Sequence, residues 1–485
     1  MKTVYIKSYG CQMNVYDSER MADILSPLGY KTTQDPALAD LVILNTCHVR
    51  EKATEKVYSD LGRIKEIKDE KSALGQSIMI AVAGCTAQAE GEEILRRTPY
   101  VDMVFGPQTY HQLPQMLAEV ERKRSNVKGP GRGVLNVDFP EDDKFDHLPE
   151  LSNPQGVTAF LTIQEGCDHF CHFCVVPYTR GAEFSRPAAS VIKDAKVLVS
   201  KGVREITLLG QNVNAYHGQS PFDQTSWSLG RLIENLSQIE GLERLRYTTS
   251  HPGNVDQDLI DAHHNIDKLM PYLHLPVQSG SDKILKAMNR KHTITEYISI
   301  LDKFRQARPD IVFSSDFIVG YPGETEEDFQ LTLDLIKHVK FAQAYSFKYS
   351  QRPGTPASTL ERQVPEDVKI ERLERLQSLM KSQQIAFNQQ MIGQTLTVLW
   401  ERKGRHSGQL IGRSPYLQSV HTYGAESLMG TLSDVIITHA TLNSLTGVLV
   451  SDSSHETTDC LHDLTTLDIN STQSDHLRNS QRMPI

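Results

Sequence analysis

The 485-residue sequence lacks long hydrophobic runs. Apolar stretches such as residues 41–44 and 78–83 are far shorter than the ~20 residues that a membrane-spanning helix needs. The amino terminus, MKTVYIKSYGC, has no apolar segment after its first lysine, so we do not expect a secretory signal. The sequence therefore predicts a cytoplasmic protein without a membrane anchor.

Cysteine and excess positive charge are also scarce. Seven cysteines, an odd number, do not suit the disulfide framework of a small secreted protein. The chain has 51 Lys and Arg against 60 Asp and Glu, a net charge of -9. This balance argues against a strongly basic protein that coats nucleic acid, but it leaves room for a local basic groove. The length suggests about three domains.

The amino-terminal residues 1–120 alternate strand-like and helix-like patterns. Strands are predicted at 3–9, 41–46 and 78–83, and helices at 17–28, 49–67 and near 90–96. This β-α-β-α-β order predicts an α/β domain with a doubly wound parallel sheet. Residues 121–152 are rich in charge, glycine and proline, which favours a linker.

A second α/β series occupies residues 153–385. Six strands are predicted, at 157–163, 205–209, 244–249, 272–276, 312–319 and 344–348. Six β-α repeats are too few for a closed eight-stranded barrel of ~250 residues, so the pattern favours a partial barrel. A long amphipathic helix is predicted at 366–390.

Residues 386–449 switch to short strand-like runs broken by glycine, which predicts a small β-barrel. The last segment, 450–485, is rich in Ser, Thr and acidic residues and is predicted to be a disordered tail. Six acidic and two basic residues give it a charge of -4, which leaves -5 for the folded part.

Three cysteines lie within one short segment, EGCDHFCHFC. Cys167, Cys171 and Cys174, here called the compact set, follow a predicted strand with the spacing C-x-x-x-C-x-x-C. Soft thiolates at this spacing suit an iron–sulfur cluster or zinc. Three ligands leave one iron of a four-iron cluster free to bind another molecule, whereas structural zinc needs a fourth ligand, such as His169 or His172.

Three further cysteines are distant in sequence but share one position in the predicted fold. Cys11, Cys47 and Cys85, here called the dispersed set, each follow a strand of the amino-terminal sheet. Because the carboxyl ends of parallel strands meet at one edge, where ligand sites form, we expect these thiols to converge. The alternative is three buried, unliganded cysteines. Cys460, in the predicted tail, is expected to be unused.

The segment EGCDHFCHFCVVPYTRGAEFSR resembles the cluster-binding motif of the radical S-adenosylmethionine enzymes. The dispersed set, with SYGCQMNVYDSE, NTCHVREKA, LLGQNVNAY, LHLPVQSGSD and DFIVGYPGETEEDF, is similar to the methylthiotransferase branch and, within it, to bacterial enzymes that act on tRNA. The resemblance covers residues 1–449. It implies an amino-terminal methylthiotransferase domain, a partial (βα)6 radical SAM barrel and a carboxyl-terminal TRAM domain, a small β-barrel associated with RNA binding.

The resemblance also implies two [4Fe-4S] clusters and S-adenosylmethionine as cofactors. On this resemblance, we expect the free iron of the compact-set cluster to chelate S-adenosylmethionine, whose one-electron cleavage would yield a 5′-deoxyadenosyl radical. That radical is expected to remove hydrogen from C2 of an isopentenylated adenosine next to the tRNA anticodon. The dispersed-set cluster is expected to supply sulfur, methylated by a second S-adenosylmethionine. The expected partners are the tRNA anticodon loop and a low-potential electron donor protein, and the expected state is a monomer.

By the same resemblance, four polar-loop residues are candidates for binding the cofactor. Gln211 and Asn212 follow one barrel strand and are matched to the region that contacts its methionine part. Ser279 and Gly280 follow another strand and are similar candidates. A polar loop cap is the alternative for each pair.

Basic residues form two groups of candidates for substrate binding. Arg180 and Arg186 lie just after the compact set, and we expect them to contact substrate phosphate or cofactor carboxylate. The alternative for each is a surface ion pair. The small barrel combines basic and aromatic residues, which suits single-stranded RNA, with a solvated charged face as the alternative. This group contains Arg402, Lys403, Arg405 and Arg413 with Trp400 and Tyr416.

The leading prediction is thus a radical tRNA methylthiotransferase. The nearest alternative applies the same chemistry to a ribosomal protein aspartate, but VREKA after Cys47 and VVPYTRG after Cys174 favour tRNA. An alternative of a different class is a zinc-stabilised RNA-binding protein without catalysis. Colour separates the two classes, because iron–sulfur clusters make a protein brown and zinc leaves it colourless.

Overall fold

The computed structural model describes residues 2–48, 51–126, 133–140, 144–150 and 156–450. Apart from residue 450, the tail predicted at 450–485 lies outside the described residues, and Cys460 lies there too. The described chain forms a parallel sheet, a partial barrel and a small closed barrel in succession. None of the helices in these ranges is both long and apolar enough to cross a bilayer.

The first unit is a six-stranded parallel sheet in the order β2-β1-β3-β4-β5-β6. Its elements are β1 (Lys2–Ser8), α1 (Gln12–Leu25), β2 (Tyr30–Thr32), β3 (Leu41–Thr46), α2 (Glu51–Ala73), β4 (Met79–Gly84), α3 (Cys85–Arg97), β5 (Met103–Phe105), α4 (Leu113–Asn126) and β6 (Val134–Asn136). Because successive side chains of a strand point to opposite faces, the side chains of β3 pack into two hydrophobic cores, one on each side of the sheet. Ile43 packs with Met21 of α1, whereas Val42 packs with Val57 of α2. The doubly wound sheet is confirmed.

Three strands of this sheet were not predicted from the sequence, and one of them lies inside the predicted linker. β2, β5 and β6 have three residues each, too few for a periodic pattern. β6 pairs with β5, and α4 extends to Asn126. The linker prediction for residues 121–152 is therefore wrong in these two places, where the segment completes a helix and supplies the edge strand.

The second unit holds the six predicted parallel strands in two groups, β11-β10-β7 and β12-β13-β14. Its elements are β7 (Thr158–Thr162), β8 (Gln164–Glu165), α5 (Val176–Arg180), β9 (Phe184–Ser185), α6 (Ala188–Ser200), β10 (Glu205–Leu209), α7 (Leu229–Ser237), β11 (Arg244–Tyr247), α8 (Gln257–Asn265), β12 (Tyr272–His274), α9 (Asp282–Ala287), α10 (Ile294–Ala307), β13 (Val312–Val319), α11 (Glu326–Val339), β14 (Gln343–Lys348) and α12 (Glu366–Gln390). A bridge between Leu245 and Leu269 joins the two groups. The strands form one open series, which confirms the partial barrel.

The third unit is a closed five-stranded barrel in the order β15-β16-β17-β19-β18. Its strands are β15 (Thr395–Lys403), β16 (Gln409–Arg413), β17 (Ser419–Tyr423), β18 (Leu432–Ala440) and β19 (Ser444–Leu449). Trp400 is fully buried in its core. The idea that Trp400 offers its ring to RNA is therefore wrong, because an indole inside a barrel has no face for a base.

The small barrel docks at the amino end of the partial barrel. Arg244 and Arg246, in β11, are buried and donate hydrogen bonds to its backbone carbonyls, at Thr397, Arg413, Ser414 and Pro415. Glu205, the first residue of β10, lies 3.0 Å from Arg246 and balances part of their charge. The parallel strands run away from this interface, so the small barrel and the compact set lie at opposite ends of the partial barrel.

Candidate active site

The dispersed set converges at the carboxyl edge of the first sheet, as predicted. Cys11 caps α1 after β1, Cys47 follows β3, and Cys85 begins α3 after β4. The turn at Gly10 has φ +91°, and a Cβ there would lie 2.2 Å from the Cβ of Cys47. Only glycine allows this approach, which brings the first two cysteines together. A hydrogen bond with Cys47 lowers the pKa of Cys11 to about 6.

A buried arginine from the second unit completes this site. Arg180, the last residue of α5, donates 2.7 Å to Asp17 and lies 3.3 Å from Glu165. Its charge favours the thiolates of Cys11 and Cys85, although burial still raises the pKa of Cys85 overall. Lys144 pairs with Glu165 at 2.6 Å, so two acidic and two basic groups lie together in the interior. Such a group is stable only when every charge is paired.

The compact set lies in the loop after β8. Burial raises the pKa of Cys167 to about 11 and that of Cys174 to about 12. Two donors point at sulfur: Arg290 Nη1 lies 3.7 Å from Cys171 Sγ, and the Val176 amide lies 3.5 Å from Cys174 Sγ. Hydrogen bonds to sulfur are one way in which proteins tune iron–sulfur clusters.

The five-residue helix α5 connects the two cysteine sets. It begins two residues after Cys174 and ends at Arg180, beside Cys11 and Cys85. α1, which starts at the dispersed set, packs on the partial barrel through Met13 and Tyr16 against Leu209. The two sets therefore lie at opposite ends of α5, at the interface between the first two units.

The donors at both sites fit iron–sulfur clusters. Each site offers three cysteine sulfurs, the ligands such clusters use, with basic side chains nearby to offset thiolate charge. Within the described ranges, no three Cys, His, Asp or Glu side chains converge as closely as one metal ion requires. Cysteines of a four-iron cluster bind separate iron atoms and have no need to meet at one point.

Of the four predicted cofactor residues, two lie beside the compact set. Gln211 Oε1 accepts a hydrogen bond of 2.6 Å from the Gly166 amide, next to Cys167. Asn212 is buried and donates 3.1 Å to Asn254, while its Oδ1 has no protein partner among the described residues. An unpaired buried acceptor is costly, which is consistent with a ligand position.

Ser279 and Gly280 have a different environment from the one predicted. Both are buried, and the Gly280 amide donates 2.9 Å to Thr332 of α11. A Cβ on Gly280 would lie 2.4 Å from the Leu331 carbonyl oxygen. These contacts anchor the pair to α11, and its role in binding the cofactor stays a prediction.

The predicted substrate arginines of the loop are corrected. Arg180 has the buried partners described above. Arg186 donates 2.8 Å to Asp194 and 2.8 Å to the Thr162 carbonyl, and stacks over Phe145. Both guanidinium groups are buried and paired with acidic side chains, so neither is available to bind a substrate phosphate.

Three of the four basic residues predicted on the small barrel are exposed to solvent. Arg402, Lys403 and Arg405 are exposed, and Lys403 pairs with Glu426 at 2.7 Å. Tyr416 packs edge-on against Phe387 of α12. The exposed cations remain candidates for RNA phosphate at the end of the molecule opposite the cysteines.

Sequence reasoning missed the residues that surround the cysteines. Asp17, Lys144 and Glu165 lie far apart in the chain, and only the fold brings them to Arg180. A signal existed for Glu165, which stands two residues before Cys167 in the same motif. Asn14 lay in the quoted motif SYGCQMN, and it accepts a hydrogen bond of 3.1 Å from Arg180.

Comparisons with known proteins agree with this architecture. Residues 3–106 match the uncharacterized protein family UPF0004, residues 161–336 the radical SAM superfamily, and residues 389–450 the TRAM domain. A solved radical S-adenosylmethionine methyltransferase, TsrM from Kitasatospora setae, has a similar fold, with a TM-score of 0.54 and 13% identity over 74% of this chain and 75% of that one.

Two curated relatives are much closer in sequence, and both are named tRNA-2-methylthio-N(6)-dimethylallyladenosine synthase. The protein from Maricaulis maris is 56% identical over 92% of this chain and 97% of its own length. That from Rickettsia conorii is 57% identical over 93% of this chain and 100% of its own. At this identity over nearly the whole length, the chain belongs to the tRNA-2-methylthio-N(6)-dimethylallyladenosine synthase family.

Proposed function

We propose that this protein methylthiolates C2 of N6-isopentenyladenosine next to the anticodon of tRNA, giving 2-methylthio-N6-isopentenyladenosine. One observation carries the proposal: two three-cysteine sites lie at opposite ends of the five-residue helix α5. The names of the two relatives supply the substrate class. We infer further that the protein acts as a monomer in the cytoplasm and receives electrons from a low-potential donor protein.

The two cysteine sets would bind two clusters with different roles in the reaction. The compact set would hold one [4Fe-4S] cluster with S-adenosylmethionine, and the dispersed set would hold a second. When bound, these groups supply the radical that activates the non-acidic C2–H bond and the sulfur that replaces hydrogen, chemistry that acid–base side chains cannot perform. Three protein ligands at each site leave an open coordination position for this purpose.

The polypeptide contributes positioning, charge balance and exclusion of water. Arg180 holds α5 against α1, which fixes the dispersed set relative to the compact set. Arg290 directs a donor at Cys171, and Gln211 fixes the backbone at Gly166. The fully buried Leu209, packed with Met13 and Tyr16, closes the interface beside the cysteines to water.

The RNA is proposed to span the molecule. Exposed Arg402, Lys403 and Arg405 of the TRAM domain would contact phosphates, while the anticodon loop reaches the cysteine edge. The target base must leave its stack to enter the site, and an unpaired loop lowers that cost. The names of the relatives favour this substrate over a ribosomal protein aspartate, and over a zinc-stabilised protein without catalysis.

Mass spectrometry of tRNA nucleosides tests the assignment. Cells that lack this gene should lose the methylthiolated adenosine and accumulate its isopentenylated precursor. Restoring the wild-type gene should return the product, and a copy with Cys171→Ala should not. An unchanged methylthioadenosine peak in the deletion strain would refute the proposed substrate.

A further inference from the structure

The exposed aromatic residues of this protein are concentrated at one place. Among the described residues, six Phe or Tyr side chains are exposed, and four of them surround the compact set. Phe139, Phe170, Tyr178 and Phe184, here called the aromatic rim, are between 39% and 51% exposed. Exposed single apolar residues are ordinary, but a cluster of rings beside a functional site marks an interaction surface.

Backbone contacts hold the rim together around the cysteine loop. The Cys167 amide donates 3.3 Å to the Gly181 carbonyl, and the ring of Phe139 lies 3.1 Å from where a Cβ of Gly181 would be. Phe184 pairs with Glu165 in the hairpin of β8 and β9. Tyr178 lies on α5, one turn beyond Cys174.

Phe170 is held in an unfavourable backbone conformation. Its φ is +48°, a region that non-glycine residues avoid. Asn289 stabilises the turn by donating 3.0 Å to the Phe170 carbonyl and 3.1 Å to that of His169. Local strain of this kind accumulates at functional sites, and here it presents an apolar ring to solvent.

The charges near the rim indicate what kind of ligand it binds. Asp168 accepts 3.2 Å from the Glu183 amide, while Arg290 and Lys291 lie near His169, so charges of both signs border the rings. Neither sign dominates here, whereas aromatic faces stack on any base. The exposed cations of the TRAM domain are at the other end of the partial barrel, beyond the five residues of β10, which span roughly 17 Å. The TRAM cations are therefore too far away to bind bases at the cysteine edge.

We propose that the aromatic rim stacks on unpaired bases of the anticodon loop that flank the target adenosine. This inference rests on the proposed function and assigns the surface that holds the RNA at the site. The rim supplies base stacking while the TRAM domain supplies phosphate contacts, a division that single-stranded RNA permits because every base has an aromatic face.

The test compares variants that lose a ring with variants that keep one. Full-length, cluster-loaded protein is titrated with an anticodon stem-loop RNA that carries isopentenyladenosine and 2-aminopurine as its neighbour. Tyr178→Leu and Phe170→Leu retain apolar volume but remove the ring. Each should weaken binding about 5- to 150-fold, the range for one lost stacked base, and reduce 2-aminopurine quenching. Tyr178→Phe should bind within about twofold of wild type, because it keeps the stacking face.

Phe222→Leu serves as the matched control, because this ring is 81% exposed and packs against Trp227 outside the rim. It should bind RNA as wild type does, and iron content should be equal in all variants. Equal RNA affinity in the ring-loss variants would overturn the proposal, and slower reduction by the electron donor in those variants would assign the rim to a protein partner instead. Wild-type protein that neither binds nor modifies the RNA would contradict the proposed function itself.

Discussion

The two cysteine sites have the same ligand count but are built in opposite ways. The compact set lies on one loop of eight residues, whereas the dispersed set is gathered from the ends of β1, β3 and β4. Burial raises the pKa of Cys167 and that of Cys174. By contrast, a hydrogen bond with Cys47 lowers the pKa of Cys11 to about 6. The loop site is local in sequence, and the sheet-edge site exists only in the folded domain.

The dispersed site depends on the partial barrel beside it. Arg180 belongs to the partial barrel, yet its closest acidic partner is Asp17 of the first unit. The positive charge beside the dispersed set is therefore that of Arg180, which follows the compact set in the chain. Damage to that contact should affect the dispersed site first.

The largest expected effect separates the sites by function. Cys85→Ala should abolish methylthio transfer, because the dispersed set loses a ligand, yet leave reductive cleavage of S-adenosylmethionine partly intact. Cys171→Ala should abolish both reactions. Assays of methylthiolated RNA and of 5′-deoxyadenosine measure the two activities. If Cys85→Ala removed both activities together, the dispersed set would be structural.

The next effect concerns the shared ion pairs. Arg180→Gln leaves Asp17 buried without its cation, while Glu165 keeps Lys144, and the unpaired carboxylate should destabilise the protein by about 3–5 kcal/mol. Thermal unfolding measures the loss, and iron analysis should show loss mainly from the dispersed site. Adding Asp17→Asn should recover part of the stability, since it removes one uncompensated charge. A variant as stable as wild type would show that the network is dispensable.

A smaller effect is the difference in alkylation rate between Cys11 and Cys174. In iron-free protein, alkylation of Cys11 by iodoacetamide should rise as pH increases through about 6 and then level off, because the thiolate is the reactive form. Cys174, with its pKa raised to about 12, should react slowly throughout the range from pH 5 to 9. Peptide mass spectrometry measures both rates. Equal rates at pH 7 would contradict the contrast between the sites.

The sequence predicted most of this architecture, and what it missed has physical reasons. Strand-end placement was enough to predict convergence of Cys11, Cys47 and Cys85, because parallel strands share one edge. The three-residue β6 left no periodic signal. The partners of Arg180 are separated from it by as many as 166 residues, and no local pattern encodes such a pairing. Trp400 shares the inward side of β15 with Leu396 and Val398, and it fills the barrel core.

We conclude that the protein carries two clusters of the same kind in two different settings. Iron and sulfide analysis of anaerobically purified protein tests it most directly. Wild type should contain about eight iron atoms per chain, and a variant with all three compact-set cysteines replaced by alanine should retain about four. Wild-type protein with about four iron atoms and no further site on reconstitution, or with zinc in place of iron, would contradict the account.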